Sequence, residues 1–384
     1  MGSRQPRSAA FLGSRASIEP KYQSMNPSPE LQMPTSLPDR VAFLGSHRIV
    51  RMSVLLLLVS AGCVSDPPQE VQDAPLPAPP RPVVDVRRPT LEQAERAAEG
   101  RALIDAGDPV EAIEVFESLL DENPSLTVAY IGIGTAYESM GDAARAEPAF
   151  ARAVRLEPRN FEAQFGHGET LRALGRLRDS IRAFQLALAV APNDDDALAS
   201  LAAAFLEMDM PRSAVAPAQR VVELRPDEGD AHAMLGTAYM LSGRTDDAID
   251  TYEIAIELVG NDPRLIGNLV ECYAGAGRFK ESVNAGEVLL ELAPSAIAWD
   301  RQGRSHFRLG DYEASVECYR RAVEIDPDYW PALNGIGVNE LNAWLASERT
   351  LLEARDAAAS AFRSSLRINP EQPKVVRLLT TYGL

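Results

Sequence analysis

From about residue 91 to the C-terminus, apolar positions fall at steps of three and four, the spacing that lines one face of an α-helix. They come as pairs of helix-length runs parted by a short polar break. In residues 127–160, TVAYIGIGTAYESMGDAARAEPAFARAVRLEPRN, the break is Gly141-Asp142. Glycine suits the left-handed residue that ends a helix, and aspartate can cap the start of the next. Gly107-Asp108, Gly243-Arg244 and Gly310-Asp311 stand at equivalent places. The pattern predicts an all-α chain of helix–turn–helix units.

The pairs repeat with a period of 34. The small residue at Gly134 returns as Gly100, Gly168, Ala202, Gly236, Gly303 and Gly337, and the aromatic at Phe150 as Phe116, Phe184, Tyr252, Tyr319 and Phe362. The closing proline stands at Pro124, Pro158, Pro192 and Pro226, with Pro294 two periods further on. Gly134 lies inside its helix, where glycine costs about 1 kcal/mol relative to alanine. That cost is sensible only if a neighbouring helix must approach closely there. No unit of this size buries its apolar face alone, so the units must stack into a continuous core.

The spacing W/Y-x2-L/I-G-x2-Y…A-x3-F…A…P, carried by Tyr130, Ile133, Gly134, Tyr137, Ala146, Phe150, Ala153 and Pro158, resembles the tetratricopeptide repeat. The resemblance implies a right-handed superhelical α-solenoid of about eight units in residues 91–372: 93–126, 127–160, 161–194, 195–228, 229–262, 263–295, 296–329 and a lengthened 330–372. Residues 373–384 are expected to form a terminal cap. In the lengthened unit, about nine extra residues separate the helices and carry Trp344, Leu345, Leu351 and Leu352, apolar groups for capping the array or for a partner. Pro148 and Pro217 fall inside second helices, where a missing N–H is expected to bend them.

Charge divides the chain. Residues 1–90 hold 10 Lys/Arg against 7 Asp/Glu, and the remainder holds 28 against 48, a net of −20 for the repeats. Such an acidic surface is a poor partner for nucleic acid, whose binding needs basic residues to displace counterions. It favours partners with basic segments, or is a plain solvated face.

The front of the chain reads differently. A short basic stretch precedes the apolar run Ser53–Ser60, then Ala61-Gly62-Cys63. The run is too short to span a bilayer and has the layout of a secretory signal. Val59-Ser60-Ala61-Gly62-Cys63 resembles a bacterial lipobox, with Ser60 where leucine is usual. The resemblance implies lipidation of Cys63, which becomes the first residue of the mature protein. The absence of Asp after Cys63 implies sorting to the outer membrane. Residues 1–51 read as a disordered leader or a start assigned too early, Val50 and Met33 being later options, with 52–63 the signal and lipobox. Residues 64–90 form a linker; Asp66–Pro89 holds eight prolines, which favour extended polyproline II, with a reach of up to ~75 Å. The alternative is a cytoplasmic protein with a disordered arm.

Catalytic chemistry finds no constellation. His167, His232 and His306 occupy slots held elsewhere by Ile133, Tyr130 and Tyr137, in three different units. Cys272 and Cys318 lie in separate units without a C-x-x-C and read as buried free thiols. The triplets Gly132-Ile133-Gly134, Gly166-His167-Gly168 and Gly335-Ile336-Gly337 follow no strand and lack a P-loop lysine, so they read as packing glycines. No cofactor or metal is expected, and no enzyme.

In tetratricopeptide arrays the first helix of each unit lines the concave face, where peptides or partner helices bind. The family's peptide-carboxylate clamp takes Lys, Asn and Arg from successive units, but Ala97, Gly132 and Glu162 stand at those stations here, so no clamp is expected. Units three and four offer Glu162, Glu169, Asp196 and Glu207. Unit five offers Met234, Met240 and Leu241, soft and adaptable side chains. Unit seven offers Arg301, Arg304 and Arg308, with Asn268 on the first helix of the preceding unit. Asp300 is placed to pair with Arg304. The expectation is a groove with an acidic middle, an apolar patch and an anion-accepting end, or else ordinary surface. The combined parts predict a lipid-anchored, periplasm-facing scaffold that binds proteins or peptides, in the manner of lipoproteins serving pilus, secretion or outer-membrane assembly. A cytoplasmic adaptor and a repeat-bearing subunit of an enzyme complex are the alternatives.

Overall fold

The computed structural model describes residues 89–384. Cys63 and the leader, signal and most of the linker lie outside the described residues. Every regular element among the described residues is a helix. The first helices of the repeat are α1 (Leu91–Ala106), α3 (Thr127–Ser139), α5 (Phe161–Ala173), α7 (Asp195–Glu207), α9 (Gly229–Ser242), α11 (Pro263–Gly275), α13 (Ala296–Leu309) and α15 (Trp330–Ala346). They alternate with second helices α2 (Pro109–Glu122), α4 (Ala143–Leu156), α6 (Leu177–Leu188), α8 (Pro211–Leu224), α10 (Thr245–Val259), α12 (Phe279–Leu292), α14 (Tyr312–Ile325) and α16 (Leu352–Ile368). A last helix, α17, runs Pro373–Tyr382. Each first helix from α1 to α13 packs on the second helix that follows it and on the one before it where there is one, which makes an α-solenoid of repeated pairs.

The polar breaks act as their residues suggest. Gly141 adopts φ +73°, and Asp142 caps α4 by accepting from the Arg145 amide at 3.0 Å. Asp311 caps α14 in the same way, through the Ala314 amide at 3.2 Å. Asp108 makes no side-chain cap; Pro109 at the first position of α2 has no N–H to satisfy. Pro148 and Pro217 lie within α4 and α8, which both continue past them as single helices.

The repeated glycine and aromatic form a joint between units. Phe116, Phe150 and Phe184 are fully buried on second helices. A β-carbon on Gly134 would stand 2.6 Å from the Phe150 ring, and one on Gly166, in the next unit, would collide with the other side of that ring. Phe116 lies between Gly100 and Gly132 in the same manner. Phe116 and Phe150 thus each fill a slot cut by glycines from two consecutive first helices, and Phe184 packs on Gly168 in the same register, so period and packing are one fact. At about 25 cal/mol per Å² of buried apolar surface, a ring of this size stabilises its joint by several kcal/mol.

Two joints lack the aromatic. Ala218 occupies the slot in α8, and Met234 of α9 packs against the cluster that contains it. Gly286 occupies it in α12, where the Gln302 amide oxygen of α13 lies against the glycine. The small residue expected opposite is here Val270, so large and small have changed places.

Residues 89–332 and residues 333–384 form two compact units among the described residues. The second has a core of Leu341, Trp344, Ala358, Phe362 and Val375, with Leu345, Leu378, Leu379 and Tyr382 against it. Its helices α15 and α16 are 17 residues each, longer than their equivalents. Trp344 is spent on this core, whereas Leu351 and Leu352 are exposed. The Gln372 side chain is buried there and accepts from Asn334 Nδ2 at 2.7 Å while donating to Ser365 Oγ at 2.9 Å.

Candidate functional site

The first helices α1, α3 and α5 lie side by side and enclose a concavity of about 380 Å³. Its floor is apolar: Ile131, Phe150, Phe161 and Phe165, with Gly132 and Gly166. Phe161 and Phe165, one turn apart on α5, are stacked with ring centroids at 5.7 Å and planes 5° apart. In the neighbouring units their positions hold Thr127 and Ile131, then Asp195 and Ala199. The two rings are only partly buried, which is costly unless something covers them.

The rim is acidic. Asp105, Glu138, Glu162 and Glu169 face a single cation, Arg101. Burial, and then the neighbouring charge of Glu169, push the Glu138 carboxyl up to about 7. Arg172 donates to Glu169 at 2.8 Å and to Glu207 of α7 at 2.8 Å. The other Glu169 oxygen, Oε1, is buried without a hydrogen-bond partner.

The expected anion-accepting end looks different in the structure. Arg301 is largely buried, its side chain 14% exposed, rather than lying on an open face. Its Nε stands 3.0 Å from Glu271 Oε1 on α11, and Arg304 Nη2 meets the same oxygen at 2.7 Å. Arg304 Nε lies 3.3 Å from Asp300, the pair expected at i, i+4. Burial lowers the Arg301 pKa and raises that of Asp300. Burial also works against the Arg304 charge, but Glu271 and Asp300 outweigh it and raise its pKa. Arg308 stands apart, exposed, with its guanidinium 4.9 Å above the Phe279 ring. The three arginines do not converge on a common opening. Gln302 of α13 lies against Gly286, where the aromatic is missing, while Arg301 comes against Gly267 of α11 and Glu271 compensates its charge.

The remaining candidates are also drawn into packing. Asn268 Nδ2 donates to Tyr252 Oη at 3.2 Å, and the same hydroxyl meets Thr237 Oγ1 at 2.9 Å. Met234 and Met240 are half-buried against the core of α8–α11, and Leu241 is exposed. His232 meets the Pro226 carbonyl at 2.9 Å, His167 lies 3.6 Å from Glu147, and His306 lies 3.4 Å from Asp311. Cys272 and Cys318 are buried free thiols, each pushed up to about 12 by burial.

Glu162 and Glu169 belong to the acidic stretch expected from sequence, but Glu138 and the phenylalanine pair were not anticipated. The signal was present: Phe161 and Phe165 are one turn apart, at positions where the other units do not repeat an aromatic pair.

Comparison with known proteins agrees with this architecture. Tetratricopeptide repeat models match residues 131–197, 195–263 and 296–329. Residues 131–263 and 296–329 therefore carry tetratricopeptide repeats, a scaffold fold that supports protein–protein interaction. None of the curated proteins matches it in sequence. Among solved structures, it is similar to a tetratricopeptide repeat protein from Parabacteroides merdae, with 14% identity, 65% of this chain and 99% of that one covered, and a TM-score of 0.45. It is also similar to MamA from Desulfovibrio magneticus, with 20% identity, 43% and 94% coverage and a TM-score of 0.42. Similarity to pilF of Pseudomonas aeruginosa has 14% identity, 57% and 97% coverage and a TM-score of 0.46.

Proposed function

We propose that this chain is a non-catalytic scaffold of the bacterial cell envelope that holds protein or peptide segments in the groove of α1, α3 and α5. The observation that carries the binding part is the groove itself, with two half-exposed phenylalanines on its floor and unbalanced carboxylates on its rim. An apolar patch with convergent polar groups is the ordinary form of a recognition site. The anchoring part rests on the run before Cys63 and the proline-rich residues after it. In this reading a lipid on Cys63 holds the chain to the periplasmic face of the outer membrane, and the linker sets the repeats at a distance. Roles in pilus, secretion or outer-membrane assembly suit such a scaffold.

Two measurements test it. Mass analysis of the mature protein is expected to show a diacylglyceryl Cys63 as the first residue; an intact Met1 in a soluble fraction contradicts the anchor. A photo-crosslinking amino acid in place of Thr135, which lines the groove, is expected to capture discrete protein adducts in cells. The same probe in place of Arg321, exposed on α14, is expected to capture none of them. Identical adducts from both positions contradict groove binding.

A further inference from the structure

A comparison of two neighbouring stations along the groove suggests what chemistry the occupant carries. At the junction of α5 and α7, a basic side chain of the protein itself, Arg172, joins the carboxylates of Glu169 and Glu207. One repeat earlier the equivalent position is Glu138, so the junction of α3 and α5 has carboxylates on both sides. Among the described residues no ion pair or side-chain hydrogen bond engages the Glu138 carboxylate, which burial and the Glu169 charge alone act on. Glu169 Oε1, next to it, is buried and unpartnered. Beneath these groups lie the stacked rings of Phe161 and Phe165. Bringing like charges together over an apolar floor is unfavourable for the empty groove and favourable for one holding a cation with apolar neighbours.

We propose that this groove takes a peptide segment with an arginine or lysine between bulky apolar residues, the cation set between Glu138 and Glu169 and the apolar flanks on Phe161, Phe165 and Ile131. The inference rests on the reading of the groove as the binding site and adds the class of ligand. Arginine suits the place better than lysine, because its planar fork meets two carboxylates and its face stacks on an aromatic ring. The Glu138 carboxyl, raised by burial first and by Glu169 second, accords with it: a bound cation favours the charged form that both of these disfavour. The arginine cluster at α13 is no competitor, since Glu271 already shares its charge between Arg301 and Arg304.

The test is selection of a random twelve-residue peptide display library on the full chain, followed by affinity measurements on the enriched peptides. The expected result is enrichment of peptides with a basic residue flanked by Leu, Ile, Phe, Trp or Met. Replacing that arginine by citrulline, which keeps the shape and removes the charge, is expected to weaken binding about tenfold. Glu138→Gln is expected to weaken the arginine peptide by a similar factor and to leave the citrulline peptide nearly unchanged, with the helical circular dichroism intact. Thr135→Trp, which fills the groove, is expected to abolish binding of both. If arginine and citrulline peptides bind alike and Thr135→Trp abolishes both, the groove binds peptide but the cation assignment is overturned. If nothing is enriched, or Thr135→Trp has no effect, the groove itself is not the site and both readings fall. Enrichment of acidic peptides overturns the cation assignment directly.

Discussion

Around Phe150 and around Gly286 the same repeat meets one packing problem with opposite materials. At the first joint a buried ring from α4 enters a slot cut by Gly134 and Gly166, so neither α3 nor α5 needs a charged side chain to fill it. At the second the ring is absent, Gln302 of α13 lies against Gly286, and Arg301 beside it comes against Gly267 of α11. The arginine brings charge into the interior, where Glu271 balances it while also pairing, with Asp300, to Arg304. An aromatic joint completes itself from within the repeat and leaves the carboxylates of the groove available. A polar joint consumes the charges of its own groove. In the proposed reading, recognition falls to α1, α3 and α5, and the charged side chains of α11 and α13 serve packing.

The most damaging way to break the aromatic joint is Phe150→Ala. It empties a slot shared by two units, and it is expected to cost about 3–5 kcal/mol, read as a lower denaturant midpoint. The loss is expected to spread to neighbouring units because their stability is coupled. Glu271→Leu attacks the polar joint. It leaves Arg301 and Arg304 with less compensation, and since the site is partly open to solvent the expected cost is about 2–3 kcal/mol, below the fully buried case. Replacing Glu271 and Arg301 together by Leu and Met, with the Asp300–Arg304 pair kept, is expected to recover most of it, because a buried ion pair and an apolar pair of similar volume are near equal in stability. A double variant no better than the single one would show that the polar joint does more than fill space.

Gly134→Leu overpacks the aromatic joint from the other side and is expected to cost about 1–3 kcal/mol. An unchanged thermal unfolding curve would mean that the ring is not held as described. The smallest expected effect is the pH response of Glu138. Its folded carboxyl is raised from an ordinary 4.5 to about 7, by burial first and Glu169 second, with Asp105, Glu162 and Arg101 around the same opening. The unfolded chain therefore releases this proton first, and the wild type loses stability as pH rises from about 4.5 to about 7. Glu138→Gln is expected to gain on the wild type across that window, with a constant difference above it. A difference that does not vary with pH in paired denaturation series would contradict the raised carboxyl.

Much of this was legible in the chain. The 34-residue period gave the helix pairs, and Gly134 inside a helix announced a close neighbour, which is the Phe150 ring. The fate of Arg301 was not legible from its own helix. Its spacing with Arg304 and Arg308 matches an open basic face, and what holds it lies on another helix, α11, where Gly267 leaves room for its guanidinium and Glu271 pairs with it. Asn268 and Met234 share that repeat position and are likewise drawn into the joint before them. Glu138 escaped notice because its partner Glu169 is 31 residues away, and an acidic chain offers many such pairs. Phe161 and Phe165 were the clearer sign: an aromatic pair where the neighbouring units have none marks a surface that differs from the repeat for a reason.

Hydrogen exchange on the full chain, with and without a saturating groove peptide chosen by the display selection, tests the assignment of recognition most directly. The account predicts that bound peptide slows exchange in α1, α3 and α5, around residues 101–105, 128–138 and 161–172, and leaves residues 296–309 of α13 unchanged. Protection centred on residues 296–309, with none in α3 and α5, would contradict it and return the binding site to the arginine cluster.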